Sequence, residues 1–537
     1  MKRNIWTVLT AVLCLAGILT ACGAAGKMEC MDNQQNGIVY PGSPAEKNNY
    51  ALPEREGTPK ETDATSVSNP SKVPEDSIER TPLSEYPWTN AAEEAQSTFS
   101  ADVDTASYTI LRRLIEDNYS ESFIRNQFVF RTEEMINYFR IAGKQPEGDD
   151  LFGVTAEIAP CPWGADSELL ILNLATKKDT EKKPGNYVFL VDVSGSMNGA
   201  DRIELLKKAF RYLTVNLTEQ DTVSIVTYAS NCKTVLAGCP GNQTARILEA
   251  VNSLEAGGAT YGERGLQTAY SVARDFFKED GNNRIILASD GDFNVGLSSV
   301  EELQEYIENM RKERVYLSVL GFGYGNFRDE VMETLADKGN GVYYYIDSDR
   351  EAERVFGTEL ASTLYTVADD VKLQLTFDPQ YIEAYRLIGY ENRALNNEDF
   401  EDDTKDAGEV GTGHTVTVAY QIRLTQKAKD ELGGTANWMK LAVRYKDPGQ
   451  TQSRLNEYEI GAGAYRKTGS ETFRFLGIVI ETSMWLNGSG YLPKSASLDW
   501  ILEQASDLEA FDNPENPDFY EFFTLIRKLN ENSKKAG

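Results

Sequence analysis

Residues 187–197 read YVFLVDVSGSM. An unbroken apolar run ends in Asp192, and Ser194 and Ser196 follow at alternate positions with Gly195 between them. A strand covered on both faces reads as a continuous apolar run, whereas a half-exposed strand alternates. The run therefore predicts an interior strand of a mostly parallel sheet. The polar residues fall just past its carboxyl end, where open α/β sheets bind ligands. In a turn relaxed by glycine, the i, i+2, i+4 spacing can aim all three side-chain oxygens at one point.

Toward the C-terminus the same signature recurs. TVSIVTYAS (222–230), RIILASD (284–290), VYLSVLGFG (315–323) and VYYYIDS (342–348) are short apolar runs. Amphipathic segments lie between them, as in Ile203, Leu206, Phe210, Leu213 and Leu217. Alternation of this kind predicts an α/β domain over 186–364, with helices on both faces of a mostly parallel sheet. KTVLAG (233–238) reads as an added antiparallel edge strand. Two more polar clusters fall at strand ends: GGATYG (257–262), which offers Thr260, and SDGD (289–292), which offers Asp290. Asp192, Ser194, Ser196, Thr260 and Asp290 together supply two carboxylates and three hydroxyls. Hard oxygen donors without nitrogen or sulfur suit Mg2+ first, and also Mn2+ or Ca2+, with water completing the shell.

This DxSxS…T…D pattern resembles the metal-ion-dependent adhesion site of von Willebrand factor A domains, matched at all five positions. The resemblance implies direct coordination by the serines and threonine, aspartates acting largely through water, and one position left for an acidic group of a ligand. TFSADVDTASY (98–108), SVLGFGYGNFRDEVMETLADKGNG (318–341), AYRLIGYENRAL (384–395) and DFEDDTKDAGEVGTGH (399–414) look like bacterial YfbK-type lipoproteins. Those carry an A domain followed by a C-terminal domain of unassigned function.

Both flanks of the A domain are β-rich. FGVTAEIAP (152–160) and ELLILNLAT (168–176) precede it, and VKLQLTFDP, AYRLIGYENR, HTVTVAYQIRL and WMKLAVRYKD follow it. Two strands are too few to stand alone, so the strands on either side are expected to pair into a β-sandwich with the A domain inserted. Residues 96–185 then hold N-terminal helices and strands, 365–468 the β-rich remainder, and 469–537 a helical tail broken by NGSG and DNPENP. In the first of these, Asp104 or Thr105 caps a helix through Ile115, and RTEEMINYF marks another.

The N-terminus reads as an export signal over 1–21: Lys2 and Arg3 precede the apolar stretch Ile5 to Leu19. That stretch is short of the roughly 20 residues a membrane span needs. It ends in Leu19-Thr20-Ala21-Cys22, which resembles a bacterial lipobox with Cys22 as the lipidated residue. Residues 22–95 are polar, Pro-rich and aperiodic, a tether spanning about 45–50 Å if flexible. The expected setting is the bacterial cell envelope, extracytoplasmic and anchored to a membrane through the lipid.

The formal charge is −29, which lacks the basic footprint of nucleic-acid binding. Of six cysteines, Cys14 leaves with the signal and Cys22 takes the lipid. Cys30, Cys161, Cys232 and Cys239 remain, without zinc-ligand spacing. Cys232 and Cys239 flank KTVLAG as if across a hairpin, a possible disulfide. Asp290, Asp292, Asn294 and Glu301 fit EF-hand spacing, but Val295 stands where the loop needs glycine. The only histidine, His414, lies in an expected surface turn. A protein-binding role therefore leads, with a partner offering an Asp or Glu carboxylate to the metal, and no enzymatic activity is expected. A structural envelope protein whose metal stiffens loops is the alternative, and a Mg2+-dependent hydrolase a third.

Overall fold

The computed structural model describes residues 83–178, 183–291, 300–323, 329–359, 365–508 and 511–536. The expected signal peptide, Cys22, Cys30, the tether as far as residue 82, and Asp292, Asn294 and Val295 lie outside the described residues.

Four strands precede the central domain: β1 (Thr89–Asn90), β2 (Gln96–Ser100), β3 (Phe152–Pro160) and β4 (Glu168–Thr176). The domain itself contains β5 (Gly185–Asp192), β6 (Thr222–Tyr228), β7 (Cys232–Pro240), β8 (Asn282–Ser289), β9 (Tyr316–Phe322) and β10 (Tyr343–Ile346). They form one sheet in the order β10-β9-β8-β5-β6-β7, parallel except for β7. Every residue of β5 is buried, because both faces are covered. Tyr187, Phe189 and Val191 pack with Ile203, Leu206 and Phe210 of the helix Ile203–Thr214. Val188 and Leu190 point the other way, toward Leu266 and Ala269 of the helix Gly262–Asp275.

After the domain come β11 (Thr366–Phe377), β12 (Ile382–Ile388), β13 (Gly408–Gly411), β14 (Thr415–Leu424), β15 (Asn437–Lys446) and β16 (Ser453–Gly461). These join the earlier strands in two sheets, β1-β12-β14-β4-β3 and β13-β11-β15-β16, with β2 also on β11. Ile171 of β4 stands opposite Ala419 of β14, and Ser97 of β2 opposite Leu375 of β11. The central domain is thus inserted between halves of a sandwich that neither flank could build alone.

Three expectations are corrected. The tether does not reach residue 95: Thr89 pairs with Tyr385, Tyr86 Oη donates to the Tyr390 carbonyl, and Arg423 lies 4.2 Å from the Trp88 ring centre. Three aromatic and strand contacts in a polar stretch leave no periodicity to read. Cys232 and Cys239 are not bonded to each other. They stand at opposite parts of the single extended strand β7, about 23 Å apart at 3.3 Å per residue, far beyond the Cα limit for a disulfide. Substituting Cys232 by serine should therefore cost no more stability in oxidising than in reducing buffer, compared by thermal melting. His414 does follow a turn, but it is 3% exposed. Its Nε2 lies 3.9 Å from Glu359, and burial holds its pKa well below the usual value.

The N-terminal helix runs Ala106–Glu116 from the N-cap Thr105. The tail contains the helices Glu471–Asn487, Leu498–Gln504 and Pro517–Ala536. No helix among the described residues is long and apolar enough to cross a membrane. Glu471–Asn487 is buried on nearly all sides and ends at Gly488, whose φ of 73° closes the helix as a left-handed cap. It carries one fully buried acid, Glu481, which accepts from Gln504 Nε2 at 2.7 Å. Burial lifts this carboxyl to about 8. A folded pKa above the unfolded one gives stability that is complete in acid and is lost as pH rises toward 8. Glu481→Gln should flatten that slope and gain about 2–3 kcal/mol at pH 7, measured by urea unfolding across the range.

Candidate metal centre

The carboxyl end of β5 places Asp192 under the sheet's edge, fully buried. Its Oδ1 accepts from the Ser194 N–H at 2.8 Å, and its Oδ2 from the Ser289 hydroxyl at 3.2 Å. These bonds turn the chain so that Ser194 Oγ and Ser196 Oγ meet at 2.9 Å. The turn is tied to the next loop by backbone: Gly195 N–H donates to the Gly258 carbonyl at 2.9 Å and Gly257 N–H to the Val193 carbonyl at 2.8 Å. Thr260 stands two residues beyond that tie. Gly258 needs its glycine, since its φ is +90° and a Cβ would approach Ser230 Oγ to 2.6 Å.

Asp290 follows the last residue of β8 and is 3% exposed. Burial pushes the Asp192 carboxyl up to about 6; the Ser194 hydrogen bonds hold it back and the Asp290 charge adds to the rise. Two buried carboxylates that repel one another beside converging hydroxyls form a donor set that a hard divalent cation would relieve. Among the described residues no three His, Cys, Asp or Glu side chains gather as a metal cage. The floor is buried, but the rim is open, with Gly195, Asn198 and Gly257 to Ala259 exposed and Tyr261 at 53%.

The structure thus brings Asp192, Ser194, Ser196 and Asp290 to one strand-end cluster, with Thr260 on the loop bonded to it. Four supporting residues escaped the sequence reading. Tyr228 packs its buried phenol against Asp192 and Ser289, and Ser289 and Ser230 hold the loops. Arg202 Nη1 donates to the Ser196 carbonyl at 2.6 Å. Only Ser289, adjacent to Asp290 in sequence, carried a signal.

Residues 186–358 match the von Willebrand factor type A domain, residues 77–171 match "von Willebrand factor", and residues 362–531 match "Uncharacterized protein YfbK, C-terminal". The chain is 35% identical to the Escherichia coli "Uncharacterized protein YfbK" over 489 residues, covering 86% of this chain and 82% of that one. Human inter-alpha-trypsin inhibitor heavy chain H3 is 31% identical over 196 residues, covering 34% of this chain and 22% of that protein. Among solved structures, a von Willebrand factor type A protein from Catenulispora acidiphila aligns over 70% of this chain and 89% of that one, at 16% identity and a TM-score of 0.42.

Proposed function

Since the chain belongs to the YfbK-like family of von Willebrand factor type A proteins, we propose that it grips a protein partner through a divalent cation held at the end of β5. Domains of this type serve protein interaction and adhesion, and often bind a divalent metal at this position. The observation that carries the reading is the meeting of the Ser194 and Ser196 hydroxyls above buried Asp192, beside Asp290 and under an open rim. Asp192, Ser194, Ser196, Thr260 and Asp290 would hold the cation, Mg2+ first. With hydroxyls as its direct ligands and the two aspartates acting largely through water, it would keep much of its charge and attract an Asp or Glu from the partner. Lipidation at Cys22 would anchor the protein to a membrane of the cell envelope, extracytoplasmic, with the tether setting its reach.

A hydrolytic reading has less support. His414, the one histidine in the chain, is buried against Glu359 in contact with the sandwich strands. Three of the five residues that would hold the cation are neutral hydroxyls, and the two carboxylates would be committed to the cation rather than free to take a proton.

The test is affinity capture from the native envelope with the full-length protein. Chelation with EDTA should empty the capture and added Mg2+ restore it, because partner and metal strengthen each other's binding by the same factor. Capture indifferent to EDTA would place the partner on another surface.

A further inference from the structure

A second polar site lies at the opposite end of the A-domain sheet, where the domain meets the sandwich. It is a cleft of about 260 Å³ whose walls include Asp102, Asp104, Asp337, Asp406, Glu409 and Arg393. These come from all four stretches that carry the family resemblance outside the metal motif. Asp104 anchors the cleft to the domain, its Oδ1 accepting from the N–H of Tyr343, the first residue of β10. The metal candidate sits at the other, carboxyl end of these parallel strands.

The cleft is rich in negative charge that its own cations do not exhaust. Arg393 bonds Asp102, Asp104 and Asp337 from one side, at 3.2, 3.3 and 2.6 Å. Arg311 bonds Asp406. Lys338, also on the wall, turns its ammonium to Glu308 at 2.8 Å. Two carboxylate oxygens are left over. Asp102 is 4% exposed, and its Oδ2 has no hydrogen-bond partner. Glu409 Oε1 is likewise buried without one. An orphaned buried carboxylate oxygen costs more than a neutral one. Burial, with the charge of Asp102 for Asp104 and that of Asp369 for Glu409, raises both carboxyls well above their usual range.

A bare metal ion is a poor match. Ca2+ takes six to eight oxygens at about 2.3–2.6 Å, and the point on which Asp102, Asp104 and Asp337 converge is already filled by the Arg393 guanidinium. The space suits a larger cation whose several N–H donors reach separate oxygens, the way Arg393 already does from within the chain.

We propose that this cleft binds an organic cation bearing a primary ammonium group, seated between Asp102 Oδ2 and Glu409 Oε1. The ammonium can come from a free alkyl diamine or from a lysine side chain of a peptide, and both offer three donors on a flexible apolar stem.

The test is calorimetric titration of the full-length protein at about 0.1 M salt, where loose surface attraction is screened beyond about 10 Å. The probes are 1,5-diaminopentane, a lysine-containing tripeptide, 1,5-pentanediol and CaCl2. Saturable one-site binding by the diamine or the tripeptide, unaffected by EDTA, is the expected result, and which of the two binds names the source. The diol should not bind. Asp102→Asn should weaken binding at least tenfold. Because Asp102 also holds Arg393, Glu409→Gln on the other wall provides a second variant, each checked for an unchanged circular dichroism spectrum. No saturable binding by either amine, equal binding of the diol, binding of Ca2+ alone, or affinity unmoved by both variants would overturn the proposal.

Discussion

Changing Asp192 to alanine should cut divalent-metal affinity by roughly 10- to 100-fold and abolish metal-dependent partner capture. The range is that seen when a group supporting a metal ligand is lost, and Asp192 does two jobs at once. It is one of two carboxylates at the site, and its Oδ1 and Oδ2 fix the turn from which Ser194 and Ser196 project. Without it the two hydroxyls lose the bond that makes them converge. The change is directly measurable as thermal stability. A ligand bound only by the native state stabilises by about 2.7 kcal/mol at one hundred times its dissociation constant. At that Mg2+ concentration the melting temperature of the natural protein should rise by the full amount and that of Asp192→Ala by much less, the equivalent of about 0.4–1.4 kcal/mol. Asp192→Asn, which keeps an acceptor but not the charge, should fall between them. An alanine variant that retains the full Mg2+ shift would show that the cation sits elsewhere.

The legibility of this chain follows its burial. β5 was readable because helices cover both its faces, which turns the strand into a continuous apolar word ending in Asp192. The sandwich was readable by need: β3 and β4 had an apolar face and no partner until the strands after the insertion supplied one. By contrast, β1 is two residues long, and a two-residue strand has no period. The helix Glu121–Gln127 buries a single residue, Ile124, so no stripe announces it. Cys232 and Cys239 misled because spacing cannot distinguish a hairpin from one long strand. At the candidate site, the sequence motif displayed its five residues. The bonds that hold them were invisible, because Gly195 reaches Gly258 through backbone alone and Tyr228 enters from the end of a neighbouring strand.

The largest loss of stability should come from Arg112, in the helix Ala106–Glu116. Its guanidinium is 2% exposed and joins three parts of the chain. Nε and Nη2 donate to Asp347, just past β10, at 2.7 and 2.5 Å. Nη2 also reaches Glu351 at 2.8 Å. Nη1 donates to Tyr138 Oη at 2.8 Å and to Glu521 of the C-terminal helix at 2.9 Å. Glu351 keeps Arg354 and Glu521 keeps Arg350 if Arg112 is removed, but Asp347, with a side chain 0% exposed, is stranded. Breaking a buried pair on one side costs about 3–5 kcal/mol, so Arg112→Met should lose about that much in urea unfolding at pH 8. The pH dependence identifies the cause. Burial already raises the Asp347 carboxyl, and Arg112 is what holds it down; without the arginine it rises further. An acid whose folded pKa exceeds its unfolded one stabilises the fold when protonated and loses that contribution as pH climbs. The deficit of Arg112→Met should thus shrink toward pH 5 and widen above neutrality. The double variant Arg112→Met, Asp347→Asn should recover most of the loss, since the remaining amide needs no countercharge. A deficit that is the same at pH 5 and pH 8, and is not relieved by Asp347→Asn, would instead assign the loss to the packing of the arginine stem against Tyr108 and Tyr138.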